Sequence, residues 1–196
     1  MIPRQGDPPR RREEIEVKIP CEDLGAMREK LRGLRSTPRT PVHFESNDLY
    51  DDPEGRLRVS GCVLRLRRAA ETALLTYKGA ASFTGGVKVR EERETRVSDP
   101  EEMEAILVAL GWKRRFRYEK RREEWTLEGC AVALDETPIG NFVEVEGDPR
   151  GIRRAVIALG LDFAKAVPYS YARLYAERRK EDPTLPADMV FVKRKT

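Results

Sequence analysis

The segment Glu14-Ile15-Glu16-Val17-Lys18-Ile19 alternates charged and apolar residues without a break, and Pro20 follows it. Side chains along a β-strand point alternately to its two faces, so this alternation predicts a strand with one charged and one apolar face. Residues 22–34 carry apolar residues at helical spacing, which predicts an amphipathic helix. The apolar face of the strand can therefore be buried beneath helices while the charged face points the other way.

The same alternation recurs along the chain and places like charges on one face of each later strand. Strands are predicted at 14–19, 42–51, 62–68, 72–78, 87–97, 112–127, 130–136 and 141–146. Helices are predicted at 22–34, 100–110, 150–159 and 168–179. Successive strands joined by short turns indicate antiparallel pairing. Two arrangements stay open: a one-sided sheet with a solvated charged face, or eight strands closed into a barrel around the charges.

The composition excludes several classes of protein. Lys and Arg number 38 against 34 Asp and Glu, for a net charge of +4. This near balance, with 39% hydrophobic residues, indicates a folded chain rather than a disordered polyelectrolyte. No run approaches 18 apolar residues, and residues 1–12 are rich in Pro and Arg without an apolar signal region. We therefore expect no membrane partner and a cytoplasmic protein.

Cysteine and histidine usage excludes further kinds of site. Cys21, Cys62 and Cys130 lie far apart without CxxC spacing, which argues against a disulfide framework or a zinc site. The single histidine, His43, argues against a His-rich metal site and a Ser-His-Asp triad. Of the basic residues 28 are arginine, whose flat fork of donors suits phosphate and carboxylate oxygens.

The charged sets suggest a specific chemistry. Close carboxylates raise each other's pKa unless a cation lies between them, and oxygen ligands of this kind suit Mg²⁺. Arginine and lysine suit phosphate oxygens. An interior with an acidic side and a basic side would therefore suit an anionic metal chelate such as a metal-bound polyphosphate.

The chain resembles the CYTH superfamily, or triphosphate tunnel metalloenzymes, which includes class IV adenylyl cyclases, thiamine triphosphatases and inorganic triphosphatases. The matching elements occur in the family's order over residues 13–175. They are Glu14-Ile15-Glu16-Val17-Lys18, Leu64-Arg65-Leu66-Arg67, Thr76-Tyr77-Lys78-Gly79, Arg90-Glu91-Glu92-Arg93-Glu94, Tyr118-Glu119-Lys120-Arg121-Arg122, Leu134-Asp135-Glu136, Pro138-Ile139-Gly140-Asn141-Phe142-Val143-Glu144-Val145-Glu146 and Ser170-Tyr171-Ala172-Arg173-Leu174. The ExExK element alone is weak, whereas the ordered set is specific.

The resemblance implies an α+β fold, an eight-stranded antiparallel β-barrel with helices packed on the outside. It implies a domain at 13–180, between an N-terminal tail at 1–12 and a C-terminal tail at 181–196. The implied ligands of Mg²⁺ or Mn²⁺ are Glu14, Glu16, Glu92, Glu94, Asp135, Glu144 and Glu146. The implied phosphate-binding residues are Lys18, Arg65, Arg67, Lys78, Arg90, Lys120 and Arg122. The implied catalytic residues are Lys18, Glu16 and Glu144, with Lys18 considered as a base.

One region departs from the family pattern. Many members have an acidic, aromatic strand ending in an Asp-Thr-Pro-like turn, whereas this chain reads His43-Phe44-Glu45-Ser46-Asn47-Asp48-Leu49-Tyr50-Asp51-Asp52-Pro53. His43 is interpreted as a structural residue of the strand rather than a ligand contact. The departure bears on the identity of the substrate rather than on the fold.

The predicted function is metal-dependent cleavage of a triphosphate such as ATP, tripolyphosphate or thiamine triphosphate. We favour a triphosphatase, because hydrolysis needs no recognition of a base. The first alternative is a class IV adenylyl cyclase that forms cyclic AMP and pyrophosphate. The second is a non-catalytic binder of polyphosphate or RNA through the basic residues 113–117, and the third is a scaffold. Nucleic acid is not the expected partner, and a homodimer is compatible with the apolar outer faces.

Overall fold

A computed structural model describes residues 12–84 and 87–192, which form a curved sheet flanked by helices. Its strands are β1 (Arg12–Cys21), β2 (Thr37–Asp51), β3 (Val63–Ala69), β4 (Thr72–Lys78), β5 (Ser82–Thr84), β6 (Val87–Val97), β7 (Lys113–Leu127), β8 (Cys130–Thr137) and β9 (Gly140–Glu146). Its helices are α1 (Leu24–Gly33), α2 (Arg56–Val59), α3 (Pro100–Ala109), α4 (Pro149–Ala158) and α5 (Tyr171–Glu181), with a 3₁₀ turn at Phe163–Lys165. The eight predicted strands and four predicted helices occur in the predicted order, and α2, β5 and the 3₁₀ turn are additional.

The sheet closes on itself. Eight strands follow the order β1-β9-β8-β7-β2-β3-β4-β6, and β6 pairs again with β1. Every strand pair is antiparallel within the described residues. In the part of the chain that the structure describes, the ninth strand, β5, pairs with the first residues of β6 alone. The predicted eight-stranded antiparallel barrel with external helices is therefore confirmed, and the open one-sided sheet is excluded.

The main hydrophobic core lies outside the barrel. Val17 of β1 and Val143 of β9 face Ile152 and Val156 of α4, and all four side chains are buried. Each such side chain contributes about 1.5–3 kcal/mol through removal of apolar surface from water. A second cluster lies under α3 and a third under α5. The apolar faces thus point to the helices, which leaves the charged faces to line the interior.

Side-chain caps set where the helices begin. The carboxylates of Asp23, Asp99 and Asp148 accept hydrogen bonds from backbone N–H groups in the first turns of α1, α3 and α4. Ser170 plays the same role for α5, since its hydroxyl accepts from the N–H of Arg173. These caps satisfy amides that have no partner within the helix. The start of α5 is therefore fixed at Tyr171.

The structure differs from the sequence pattern at β2 and β5. β2 begins at Thr37, five residues before the predicted start, and pairs with β7 through register shifts around Thr40. Pro38 and Pro41 interrupt the alternation there, so the pattern does not show a strand. β5 lies between the predicted strands at 72–78 and 87–97, where no strand was predicted.

The structure describes almost none of the predicted N-terminal tail and describes the predicted C-terminal tail as far as residue 192. Residues 1–11 of the predicted N-terminal tail lie outside the described residues, and Arg12 is the first residue of β1. The segment after α5 does not leave the domain, because Met189 is fully buried against Tyr118 and Tyr175. The backbone N–H of Met189 donates to the carbonyl of Arg117 at 2.9 Å. This segment therefore packs as part of the domain as far as the chain is described.

No helix within residues 12–84 and 87–192 has the length and apolar character needed to cross a membrane.

We expect Met189→Ala to lower the free energy of unfolding by about 2–5 kcal/mol, because it leaves a cavity beside Tyr118. The control is Val192→Ala, since Val192 is 82% exposed three residues later. Urea denaturation followed by circular dichroism measures both variants. Equal stability of Met189→Ala and the wild type would show that the segment after α5 does not contribute to the fold.

Candidate functional site

The interior of the barrel is a cavity of about 1240 Å³, which we call the lumen. All eight barrel strands and the start of α5 supply lining side chains. The residues predicted from the sequence that line the lumen are Glu14, Glu16, Lys18, Arg65, Arg67, Lys78, Arg90, Glu92, Glu94, Lys120, Arg122, Glu144 and Glu146. The register explains this convergence, since alternate residues of each strand face inward.

Asp135 is the predicted site residue that does not line the lumen. It is 0% exposed, and both of its oxygens are occupied. Arg122 donates to them through Nε at 2.7 Å and Nη2 at 2.6 Å, and Lys120 Nζ lies 3.0 Å from Oδ2. In this arrangement Asp135 is positioned to hold two lumen cations rather than to reach an ion in the lumen.

Carboxylates crowd one region of the lumen, where β1 lies between β6 and β9. Glu16 is the register partner of Glu146, and Glu14 is the partner of Arg90. Lys78 Nζ lies 2.5 Å from Glu14 Oε1. The second oxygen of Glu14 is buried without a hydrogen-bond partner among the described residues. Negative charge is therefore only partly compensated here.

The pKa values of two carboxyls in this region move in opposite directions. Burial raises the pKa of Glu16, but Lys18 and Lys88 outweigh it and lower the value to about 2. Burial and the nearby carboxylates of Glu14 and Glu92 raise the pKa of Glu146 to about 7. Glu146 has no ion pair among the described residues, so the negative charge around it favours its protonated form.

A chain of ion pairs runs along the other side of the lumen. Glu144 pairs with both Lys18 and Arg122. Burial opposes ionisation of Glu144, yet these two cations hold its pKa well below the ordinary value. Glu45, only 1% exposed, lies 3.5 Å from Lys120 and 3.3 Å from Arg67. The cations of this side are thus held apart by carboxylates placed between them.

Two lumen arginines retain N–H groups without partners. Arg65 donates to the hydroxyls of Tyr118 at 3.3 Å and Thr76 at 3.2 Å, but its Nε is buried without a partner among the described residues. Arg90 donates through Nε to the carbonyl of Gly79 at 3.1 Å, and its Nη2 is likewise buried without a partner. An unsatisfied buried donor is costly, so an anion in the lumen would stabilise both guanidinium groups.

Several lining residues were not selected from the sequence. Glu45 and His43 share the inward face of β2, and Lys88 shares that of β6 with Arg90. The alternation of residues along β2 and β6 places each of these pairs on one face, so the sequence pattern could have identified them. Tyr171, the first residue of α5, also lines the lumen. Its helical setting gives no alternation, so the sequence identified it only within the family element at residues 170–174, and the fold places it in the lumen.

The one histidine of the chain has contacts within β2. His43 Nδ1 lies 3.0 Å from the carbonyl oxygen of Pro41, and Nε2 lies 3.4 Å from Glu45. The hydrogen bond to Glu45 raises the pKa of His43 from its ordinary value. His43 also lines the lumen, so its position is compatible with both a structural role and a ligand contact.

The donor chemistry of the lumen fits a hard divalent cation. Within residues 12–84 and 87–192, no three carboxylate, His or Cys side chains are arranged to hold an ion as they stand. The unpartnered oxygen of Glu14 and the raised pKa of Glu146 nevertheless show uncompensated negative charge. Mg²⁺ or Mn²⁺, which prefer carboxylate oxygens, would relieve it. The residues present therefore fit the group that the resemblance implies.

The basic stretch considered for RNA binding is already engaged. Arg114 Nη1 lies 2.8 Å from Asp188, and Arg117 Nε lies 2.7 Å from Asp48. Arg115 donates to the backbone carbonyl of Asp52 at 2.7 Å. These contacts engage the three arginines of the stretch, whereas the side chain of Lys113 is exposed.

Comparison with known proteins bears on the family of the chain. The family model of the CYTH domain matches residues 12–154. A protein of Methanocaldococcus jannaschii named putative adenylate cyclase is 28% identical over 134 residues, which are 68% of this chain and 75% of that protein.

Solved structures show the same fold at lower identity. A putative adenylate cyclase from Vibrio parahaemolyticus superposes with a TM-score of 0.75 at 20% identity, over 85% of this chain and 99% of that one. A Hippeastrum protein, described as a putative adenylyl cyclase with a dominant triphosphatase activity, has a TM-score of 0.63 at 19% identity. That match covers 89% of this chain and 98% of the Hippeastrum chain.

We expect Glu146→Gln to raise the melting temperature at pH 8.5 in EDTA by roughly 2–4 °C. The folded-state pKa of about 7 lies above the value in an unfolded chain, so ionised Glu146 destabilises the fold above pH 7. The gain should shrink towards pH 5, where the folded carboxyl is protonated. Solvent screening at this exposed side chain keeps the effect small.

Differential scanning calorimetry at both pH values measures the effect. Glu22→Gln, at an exposed carboxylate outside the lumen, is the control and should show no such pH-dependent gain. A Glu146→Gln variant that matches the wild type at pH 8.5 would contradict carboxylate crowding at this site.

Proposed function

Because the chain belongs to the CYTH domain family, we propose that it binds the triphosphate group of a small molecule in the lumen and hydrolyses it with the help of a divalent cation. One observation carries this proposal. The same lumen holds buried arginines with unpartnered N–H groups and carboxylates with uncompensated charge. A polyphosphate chelated by a cation supplies both missing partners at once.

The proposed roles follow the position of each residue. Arg65, Arg67, Lys78, Arg90, Lys120, Arg122 and Lys18 bind phosphate oxygens. Glu14, Glu16, Glu144 and Glu146 hold the cation, with Glu92 and Glu94 on the neighbouring strand as further ligands. Asp135 supports Lys120 and Arg122 from behind the wall of the lumen. Glu16 and Glu144 remain anionic at neutral pH, because their pKa values are lowered.

Lys18 acts as a cation rather than as a general base. Burial opposes protonation, but the carboxylates of Glu144 and Glu16 raise the pKa of Lys18 above its ordinary value. Its ammonium therefore donates to phosphate and does not accept a proton from water near neutral pH. Among the three predicted catalytic residues, Lys18 would stabilise charge, while Glu16 and Glu144 would orient the reacting groups.

Charge stabilisation and positioning are the main demands of phosphoryl transfer. Arg65 and Arg90 are pre-placed for this, since surrounding hydroxyl and carbonyl oxygens already fix their guanidinium groups. Preorganised donors need little rearrangement as charge develops on the leaving phosphate. A bound Mg²⁺ or Mn²⁺ would neutralise phosphate charge and orient the attacking water or hydroxyl.

Adenylyl cyclase is the second candidate. It is favoured by the name of the Methanocaldococcus jannaschii relative, which is 28% identical to this chain. Cyclisation would use the same lumen residues, with the ribose 3′-hydroxyl of ATP in place of water. Hydrolysis remains our first choice, because it requires no contact to the base.

The reaction is tested by incubating the purified protein with Mg²⁺ or Mn²⁺ and tripolyphosphate, thiamine triphosphate or ATP. We expect orthophosphate from tripolyphosphate, and loss of turnover when EDTA removes the cation. Anion-exchange chromatography separates the products. Cyclic AMP and pyrophosphate as the main products from ATP would favour the cyclase instead.

We expect Glu144→Gln to lower kcat by roughly 10²-fold or more, because a ligand of the cation and a partner of Lys18 are lost together. The matched control is Glu136→Gln, on the neighbouring strand, where an exposed carboxylate pairs with Arg121 outside the lumen. Turnover equal to that of the wild type would contradict the role given to Glu144. Tighter tripolyphosphate binding in Glu144→Gln, with no turnover in the wild type either, would indicate a simple anion binder.

A further inference from the structure

Tyr171 occupies an unusual position for a tyrosine at the start of a helix. It is the first residue of α5, it is 4% exposed, and it lines the lumen. Its hydroxyl donates to Asp135 Oδ2 at 2.7 Å. Its ring faces two ammonium groups, with Lys18 Nζ at 4.2 Å and Lys120 Nζ at 5.4 Å from the centroid.

Through Asp135, Tyr171 also reaches a third cation. Asp135 accepts hydrogen bonds from Lys120 and Arg122 as well as from the phenol. One buried carboxylate is therefore shared by a neutral donor and two cations. Tyr171 therefore contacts Lys18 and Lys120 through its ring, and it acts on Lys120 and Arg122 through Asp135.

Packing fixes the ring before any ligand arrives. The ring of Phe142 meets Tyr171 edge-on at 5.3 Å, and the ring of Tyr118 lies 6.0 Å away. Ser170 caps the helix immediately before Tyr171. The aromatic face and the hydroxyl are thus held by α5, β7 and β9 together rather than by the cations they contact.

The ring and the hydroxyl of Tyr171 both make the neighbouring cations more available to a phosphate oxygen. An aromatic face stabilises an ammonium group without occupying one of its N–H donors, so the ring supports Lys18 and Lys120 beside their carboxylate partners. The hydrogen bond from the phenol uses part of the accepting capacity of Asp135, which weakens its hold on Lys120 and Arg122. Both effects lower the cost of exchanging a carboxylate partner for a phosphate oxygen.

We propose that Tyr171 is a positioning residue for triphosphate binding, which keeps Lys18, Lys120 and Arg122 in place and available to phosphate. This inference rests on the proposed function, since it takes the three cations as phosphate ligands. It adds a residue outside the charged set and assigns the start of α5 a role in the lumen.

Tyr171→Phe and Tyr171→Leu separate the hydroxyl from the ring. We expect Tyr171→Phe to weaken metal-free tripolyphosphate binding by about three- to tenfold, because Asp135 then holds its cations more tightly. Tyr171→Leu also removes the aromatic face and should weaken binding by about 10- to 30-fold. Isothermal titration calorimetry in EDTA measures both dissociation constants. With Mg²⁺ present, KM should rise in Tyr171→Phe while kcat changes little.

Tyr175→Phe is the matched control. Tyr175 is 3% exposed on the same helix, and its hydroxyl donates to the backbone carbonyl of Pro186 at 2.9 Å, away from the lumen. This variant loses the same atom from a buried tyrosine, so it should lower the melting temperature without changing tripolyphosphate affinity.

Wild-type affinity in Tyr171→Phe would overturn the proposal. Equal weakening in Tyr171→Phe and Tyr175→Phe would also overturn it, because a general loosening of α5 would then explain the result. A wild-type protein that binds tripolyphosphate but hydrolyses nothing would contradict the proposed activity alone and leave the binding comparison decisive. A wild-type protein that binds no tripolyphosphate would contradict both proposals.

Discussion

Charged side chains buried inside a barrel must be compensated by other groups there, because moving an unpaired ion out of water costs several kcal/mol. The lumen meets this constraint by placing cations and carboxylates next to one another. Lys120 lies between Glu45 and Asp135, and Glu144 lies between Lys18 and Arg122. Compensation is incomplete at Glu14, Glu146 and Arg90. A bound cation can offset the carboxylate charge, and a bound anion can accept a hydrogen bond from Arg90.

The apolar residues that stabilise the fold and the charged residues of the lumen lie on opposite faces of the same strands. Val143 and Val145 pack outward against α4, while Glu144 between them faces the lumen. The outer face therefore supplies most of the hydrophobic stabilisation, and the inner face is free to carry charge. Helices that cover the barrel stabilise it without contributing to the lumen, apart from the first residues of α5.

Much of this arrangement could be predicted from the sequence, because the period of two in each strand states which residues share a face. Glu14, Glu16 and Lys18 were found in this way. The position of Asp135 could not be predicted, since its burial depends on the cations that converge on it. Met189 likewise gives no local signal, because its burial arises from a contact with β7 far away in the chain.

The pairing of β1 has a consequence for the order of events during synthesis. β1 lies between β6 and β9, so its partners are made long after it leaves the ribosome. Non-local pairings of this kind slow folding, because the chain loses the entropy of closing a long loop before the stabilising contacts form. The carboxylates of β1 keep this strand hydrated while it is unpaired and hinder its association with other chains. The alternation that builds the lumen thus also protects the nascent chain until β9 completes the ring.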